Sequence, residues 1–167
     1  VALANLSEQT LAKLNAVLPA NWSHGNPVDI IGDAPASRYV DALKILTDDA
    51  ASGTILLIQA PTAIVPSADI ARAVVKASED GIALTRVMSS WLGGHAVEAA
   101  RQMCTDQGIA SFETPEQAVR AIAMLQDYAH NQMELMEAPS AHVDTARPDR
   151  DAVRAIVRQA LASGQTL

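Results

Sequence analysis

"TILLIQA", residues 54–60, is an apolar run bounded by Gly53 and Pro61. It is too short for an ordinary helix and has no polar alternation, so it suits a central strand buried on both faces. The pattern repeats outward. Downstream, "QAPTAIVPSAD" (59–69) leads into a helix over about Ser67–Ser78, then a strand "IALTRVMSS" (82–90) and a helix "HAVEAARQMCTDQ" (95–107) closed by Gly108. A fourth strand, "IASFE" (109–113), runs into a helix through Met133. That helix opens with Thr114 as an acceptor for free N–H groups, Pro115 in the first turn and Gln117 completing a capping box. Upstream, "GNPVDIIGDAPASRYVDAL" (25–43) compresses a strand "VDII" (28–31), a Gly-Asp turn and a helix over about Ser37–Asp49, with Tyr39, Leu43 and Leu46 on one side.

Strand and helix therefore alternate four times, which predicts a parallel sheet wound right-handedly with helices on both faces. The expected fold class is α/β and resembles a flavodoxin-like three-layer domain with flanking helices. The first flanking helix, "LSEQTLAKLNAVLP" (6–19), has Ser7 as N-cap, a stripe of Leu6, Leu11, Leu14 and Leu18, and Pro19 as its stop. The last, within "DRDAVRAIVRQALASGQTL" (149–167), carries Val153, Ile156, Val157, Ala160 and Leu161 on one stripe and stops near Gly164. Between them "MEAPSAHVDTARPDRD" (136–151) reads as a surface linker. Neither terminal helix has an obvious partner, so the chain reads as cut from something longer, and both apolar faces predict interfaces with missing domains.

Composition narrows the function classes. With 49% hydrophobic and 19% charged residues over 167 positions, the chain can bury a full core in one domain plus flanking chain. Its net charge of −7 and 3% aromatic content argue against nucleic acid as a partner. No run approaches the roughly 18 apolar residues of a membrane span, and the N-terminus lacks a signal-peptide pattern, so a cytoplasmic location without membrane contact is expected. Cys104 is the single cysteine, which forbids an internal disulfide and a multi-cysteine metal site. It lies on an apolar helix face and reads as core, Trp91 reads as packing, and Met133 and Met136 are expected to pack the last turn. His24, His130 and His142 suggest no metal site.

In parallel α/β sheets ligands sit beyond the carboxyl ends of the strands, so the loops to inspect are 32–37, 60–67, 90–95 and 113–115. The first offers Gly32 and Asp33 after Asn26 and Asp29; either aspartate reads more simply as a turn or cap acceptor than as an acid-base group. The second offers Gln59, Ala60, Pro61, Thr62 and Ser67 just before a helix whose first amides favour an anion. The third offers Gly93, Gly94 and His95. The glycines form either a tight βα turn or a close approach to an anion, and His95, with no partner at diagnostic spacing, reads as a solvated cap ahead of a catalytic group.

"LSEQTLAKLNAVLP…GNPVDIIGDA", "ILLIQAP" and "WLGG…GIASFETPEQAVRAIAMLQDY" together resemble the nucleoside-diphosphate-forming acyl-CoA synthetases, relatives of succinyl-CoA synthetase. They also resemble the synthetase-like portion of protein lysine acetyltransferases. The resemblance covers nearly the whole chain, and Asn26-Pro27-Val28-Asp29 and Thr114-Pro115-Glu116-Gln117-Ala118 are its most specific pieces.

On the layout it implies, residues 1–24 finish a preceding flavodoxin-like domain, 25–130 form the succinyl-CoA ligase-like domain, 131–147 are linker, and 148–167 lead into an ATP-grasp domain. The resemblance further implies a parent that forms an acyl phosphate, passes the phosphoryl group to a histidine and then to the nucleotide. Phosphate is held between two helix N-termini, one of them here the helix after Gln59–Thr62. CoA, ATP or ADP and magnesium are cofactors of that parent, with none assigned to this chain. Its partners are the CoA-binding, phosphohistidine and ATP-grasp domains. No Ser-His-Thr-Gly segment occurs here, so the histidine role is not carried to His95 and no catalytic residue is assigned. The isolated segment is expected to be inactive. The alternatives are a non-catalytic regulatory or scaffolding domain of a protein lysine acetyltransferase, and a generic flavodoxin-like module. A phospho-receiver is disfavoured because no Lys follows on the third or fourth strand.

Overall fold

The apolar run forms β1 (Ile55–Gln59) in the computed structural model, which describes residues 2–137 and 149–164. β2 (Val87–Trp91) and β3 (Ala110–Phe112) complete a parallel sheet in chain order, with Ile55 opposite Val87, Gln59 opposite Trp91 and Ser89 opposite Ser111. Parallel neighbours require crossovers, supplied by α3 (Ser67–Glu79) between β1 and β2 and by α4 (Glu98–Asp106) between β2 and β3. α1 (Glu8–Val17) and α2 (Ala36–Asp48) precede the sheet. α5 (Pro115–Met136) and α6 (Arg150–Ala162) follow it. The result is the expected α/β class, a helix-flanked parallel sheet. Two units separate, Val1–Asn131 and Gln132–Leu167, and each is taken by itself.

In the first unit, Ile55, Leu57, Val87 and Trp91 of the sheet pack with Leu43 of α2, Ile70, Ala71 and Val74 of α3, and Ala100 and Cys104 of α4. Each large aliphatic side chain buried there contributes roughly 1.5–3 kcal/mol. β1 departs from its expected burial on both faces: Ile55, Leu57 and Gln59 are buried, but the alternating Ile58 is 49% exposed. Ile58 points to the face opposite Ile55 and Leu57, and β1 is an edge strand of the three-stranded sheet, since the strand expected at 28–31 does not form.

That stretch is irregular because side chains claim its amides. Ser23 Oγ accepts from the Asp29 amide at 2.9 Å, Asp29 Oδ1 accepts from the Ile31 amide at 2.8 Å, and Ile31 adopts φ +70°. Local side-chain bonds of this kind replace a ladder.

Val28 and Ile30 instead join a second apolar cluster formed by Leu14, Leu18, Trp22 and Ala42. The first terminal helix is thus not unpartnered: its leucine stripe lies on α2, whose Ala42 and Ile45 face α1 while Leu43 faces the sheet. Polar ties hold the C-terminal end of α2 from two sides. Thr10 Oγ1 donates to Asp49 Oδ2 at 2.6 Å, and the Arg86 guanidinium before β2 donates to the carbonyls of Thr47, Asp49, Ala50 and Gly53.

The helix caps read from sequence are present. Ser7 accepts from the Thr10 amide at 3.1 Å, and Thr114 Oγ1 accepts from the Gln117 amide at 3.3 Å. The Gln117 side chain reaches one residue further than the usual box, to the Glu113 amide at 3.2 Å. The second crossover helix begins later than expected, because Gly94–Val97 is a 3₁₀ turn and α4 starts at Glu98.

In the second unit, Asp149 Oδ1 caps α6 by accepting from the amides of Asp151 and Ala152, and Val153, Ile156, Val157 and Leu161 are exposed. Met133 and Met136 are exposed as well, not packed as expected; the buried residues of α5 are Ala118 and Ile122, in its first turns. α5 continues to Met136, and 138–148 of the expected linker, with His142, lie outside the described residues. No helix among the described residues is long and apolar enough to cross a membrane.

Candidate functional site

The loops after β1 and β2 meet at the carboxyl end of the sheet, and Gln59 is where they join. As the last residue of β1 it alternates onto the side of Ile55 and Leu57, against α3, and is only 1% exposed. A buried amide needs hydrogen-bond partners for both its oxygen and its nitrogen. Its Nε2 donates to the Ala60 carbonyl at 2.8 Å, its Oε1 accepts from Ser67 Oγ at 3.0 Å, and its backbone carbonyl accepts from the Leu92 amide at 2.9 Å. One residue thus links the end of β1, the first turn of α3 and the chain leaving β2.

A second junction lies beside it. Gly93 has φ +123° and comes so close to Pro61 that a Cβ there would sit 2.9 Å from Pro61 Cγ. Glycine is required at Gly93 by both conformation and space, whereas a Cβ on Gly94 would meet nothing within 4 Å.

α3 itself opens without a side-chain cap, since Pro66 precedes it and offers none. Its first-turn amides are the groups that favour an anion, and Ser67 is the first residue of the helix. Asp69 also lies in that turn, where it is exposed and paired with Arg72 at 2.6 Å. Ala60, Pro61 and Thr62 are exposed around the mouth of the loop.

The other sequence candidates fall elsewhere. Asn26 donates to the Ala4 carbonyl at 2.8 Å, Asp29 holds the Ile31 turn, and Asp33 pairs with Arg38 at 2.7 Å. These are turn and ion-pair roles, and Gly32 lies in the turn between the two aspartates. Among the described residues none of the three side chains bonds to the 59–67 loop. His95 is fully exposed and faces Glu98 at 3.2 Å, a solvated position.

Cys104 is buried, and burial pushes its thiol above the ordinary value, so it is a protonated core group. A shallow depression of about 310 Å³ lies at α4 and β3, lined by Glu98, Arg101, Gln102, Thr105, Ser111 and Glu113. Its one cation, Arg101, is held by Glu113 at 3.0 Å, which leaves the depression little attraction for an anion.

Sequence reading named Gln59 among the candidates of this loop but did not show it as the hub. The available signal was a polar residue ending an otherwise apolar strand, eight positions before a serine at a helix start. The Leu92 amide carries no side-chain signal.

Known proteins supply a frame for this geometry. The family described as Ligase-CoA domain matches residues 1–139. "Acetate--CoA ligase [ADP-forming] I" of Archaeoglobus fulgidus is 33% identical over 164 residues, covering 98% of this chain and 22% of that protein. "Acetate--CoA ligase [ADP-forming] II subunit alpha" of Pyrococcus furiosus is 29% identical, covering 77% of this chain and 29% of its own length. Among solved structures, the dinucleotide forming acetyl-coenzyme A synthetase 1 of Ca. Korarchaeum cryptofilum shares the fold, with a TM-score of 0.74 at 24% identity over 83% of this chain and 31% of that one. It is known in an apo form and in complex with phosphate and ADP. This chain thus spans less than a third of each of these relatives, and it belongs to the Ligase-CoA domain family.

Proposed function

We propose that this segment serves an ADP-forming acyl-CoA synthetase as one half of its phosphate site, with the N-terminus of α3 turned toward the phosphoryl group. The observation that carries the reading is the continuous match to an ADP-forming acetate–CoA ligase across 98% of the chain. The local chemistry agrees with it: α3 starts without a side-chain cap, so its free amides and helix dipole favour an anion. The loop before it is pinned by Gln59 and Pro61, which keeps those amides aimed in one direction.

On this reading the CoA, the nucleotide with its magnesium, and the phosphorylated histidine belong to neighbouring domains, and this chain's residues bind and orient. The test is acid-labile phosphate mapping by mass spectrometry on the full-length protein incubated with ATP and magnesium. Phosphate is expected on a histidine outside this segment, unaffected by His95→Ala. Absence of any phosphohistidine, or its loss in His95→Ala, overturns the reading.

A further inference from the structure

We propose that Gln59 is a positioning residue for the phosphate step, and that Ser67 supports it from within the fold and not as a hydroxyl ligand of the anion. This inference rests on the synthetase reading above and says which groups of that site do the work.

The argument comes from hydrogen-bond direction. A glutamine side chain has one acceptor oxygen and one donor nitrogen, and a serine hydroxyl has a single proton. The Ala60 carbonyl can only accept, so the Gln59 atom facing it at 2.8 Å is Nε2. That assignment turns Oε1 toward Ser67, and because Oε1 can only accept, the Ser67 hydroxyl must donate its proton inward at 3.0 Å. Both side chains are buried, Gln59 at 1% and Ser67 at 6% exposure, so water does not compete for either bond.

Ser67 therefore has no proton left for an incoming phosphate; its remaining lone pairs would repel one. The donors left to the anion are backbone amides of the first turn of α3. Their direction depends on how that turn is held against β1, and Gln59 sets it. Through its backbone carbonyl the same residue also fixes Leu92, and so the loop carrying Gly93 and Gly94. Ser67, a phosphate-site candidate by sequence together with Gln59, takes in this proposal a role one bond further in.

The test is a double-substitution cycle in the full-length protein, with Gln59→Leu, Ser67→Ala and the pair, reading phosphate KM and kcat separately in acyl-CoA-dependent ADP phosphorylation. Both single substitutions remove the Gln59–Ser67 bond, and Gln59→Leu also removes the bond to the Ala60 carbonyl, so each is expected to raise the phosphate KM by at least roughly five- to tenfold, the value of about one neutral hydrogen bond. The pair is expected to do no worse than Gln59→Leu alone, because both ends of the shared bond are then apolar. CoA KM should stay within about twofold, since uniform loss of folded enzyme lowers apparent kcat and leaves KM in place. Ser67→Thr keeps the inward donor and should restore the phosphate KM.

Multiplying effects in the pair would show that Ser67 contacts phosphate independently of Gln59, and would overturn the inference. So would a fall in kcat alone. Wild-type enzyme with no phosphate-dependent turnover would overturn the synthetase reading itself and the inference with it; turnover with unchanged phosphate KM in all variants would overturn the inference only.

Discussion

Gly93→Ala tests the junction of the two loops most directly. Gly93 adopts φ +123° and ψ +18°, where L-residues are sparse, and holding an alanine there costs roughly 1–3 kcal/mol. Its new Cβ would also stand 2.9 Å from Pro61 Cγ and 3.3 Å from Pro61 Cδ. The proline ring cannot swing aside as a long side chain would, so this overlap adds about 1–3 kcal/mol. The total expected loss is about 2–6 kcal/mol, a large part of the 5–15 kcal/mol typical of a domain. Gly94→Ala is the control: with φ +56° and nothing within 4 Å, it carries the backbone cost alone, about 1–2 kcal/mol.

Urea unfolding followed by circular dichroism, with the slope checked for constancy, measures both. Adding Pro61→Ala to Gly93→Ala removes the ring atoms and should return about 1 kcal/mol or more, so the two substitutions should couple. Gly93→Ala no worse than Gly94→Ala, or strict additivity with Pro61→Ala, would refute the account of this junction.

Three further outcomes are expected. Leu14 is fully buried between α1 and α2, so Leu14→Ala should destabilise the first unit by about 2–5 kcal/mol in the same assay; a loss under about 0.5 kcal/mol would mean that α1 does not pack there. The Asp49 carboxyl is held below its ordinary value by the Thr10 hydroxyl first, then by the Ala51 amide and Ser7. A lowered folded pKa stabilises above the unfolded pKa and is lost as pH falls, so between pH 7 and about pH 3 wild type should lose more stability than Asp49→Asn. Equal losses would discount that carboxylate. Finally, the buried Cys104 thiol should react with iodoacetamide only on unfolding; labelling of the native protein at the rate of a free thiol would contradict its burial.

Helices were legible wherever a cap and an apolar stripe coincided. Ser7 with its leucines, and Thr114 with Gln117, mark their starts because a few neighbouring residues supply all the needed bonds. The 28–31 stretch was misread because β-branched residues signal affinity for a half-buried surface, and here that surface is α1. What decides the matter is bonding by Ser23 and Asp29, which hydropathy does not encode. Ile58 went wrong for a related reason: an unbroken apolar run cannot say whether both faces are covered. The partner of α1 was hidden because α2 has two apolar sides, and only its sheet-facing side was read.

At the candidate site, loop position followed from strand polarity alone. Hydrogen-bond direction required the burial of Gln59 and Ser67, a three-dimensional fact.

The sheet's strand order follows the order of synthesis, and that bears on how the chain is made. Each strand pairs with the one that emerged before it, and the polar ties reach back over comparable stretches: 39 residues from Asp49 to Thr10 and 39 from Arg86 to Thr47. No described strand waits for a partner translated later on its inner side. A nascent chain can therefore close α1 on α2, then β2 on β1, then β3 on β2, while the ribosome is still extending it at about 5–20 residues per second. This vectorial assembly leaves the outer edges of β1 and β3, the first and last strands made, without a described strand partner, and an unpaired edge is adhesive backbone.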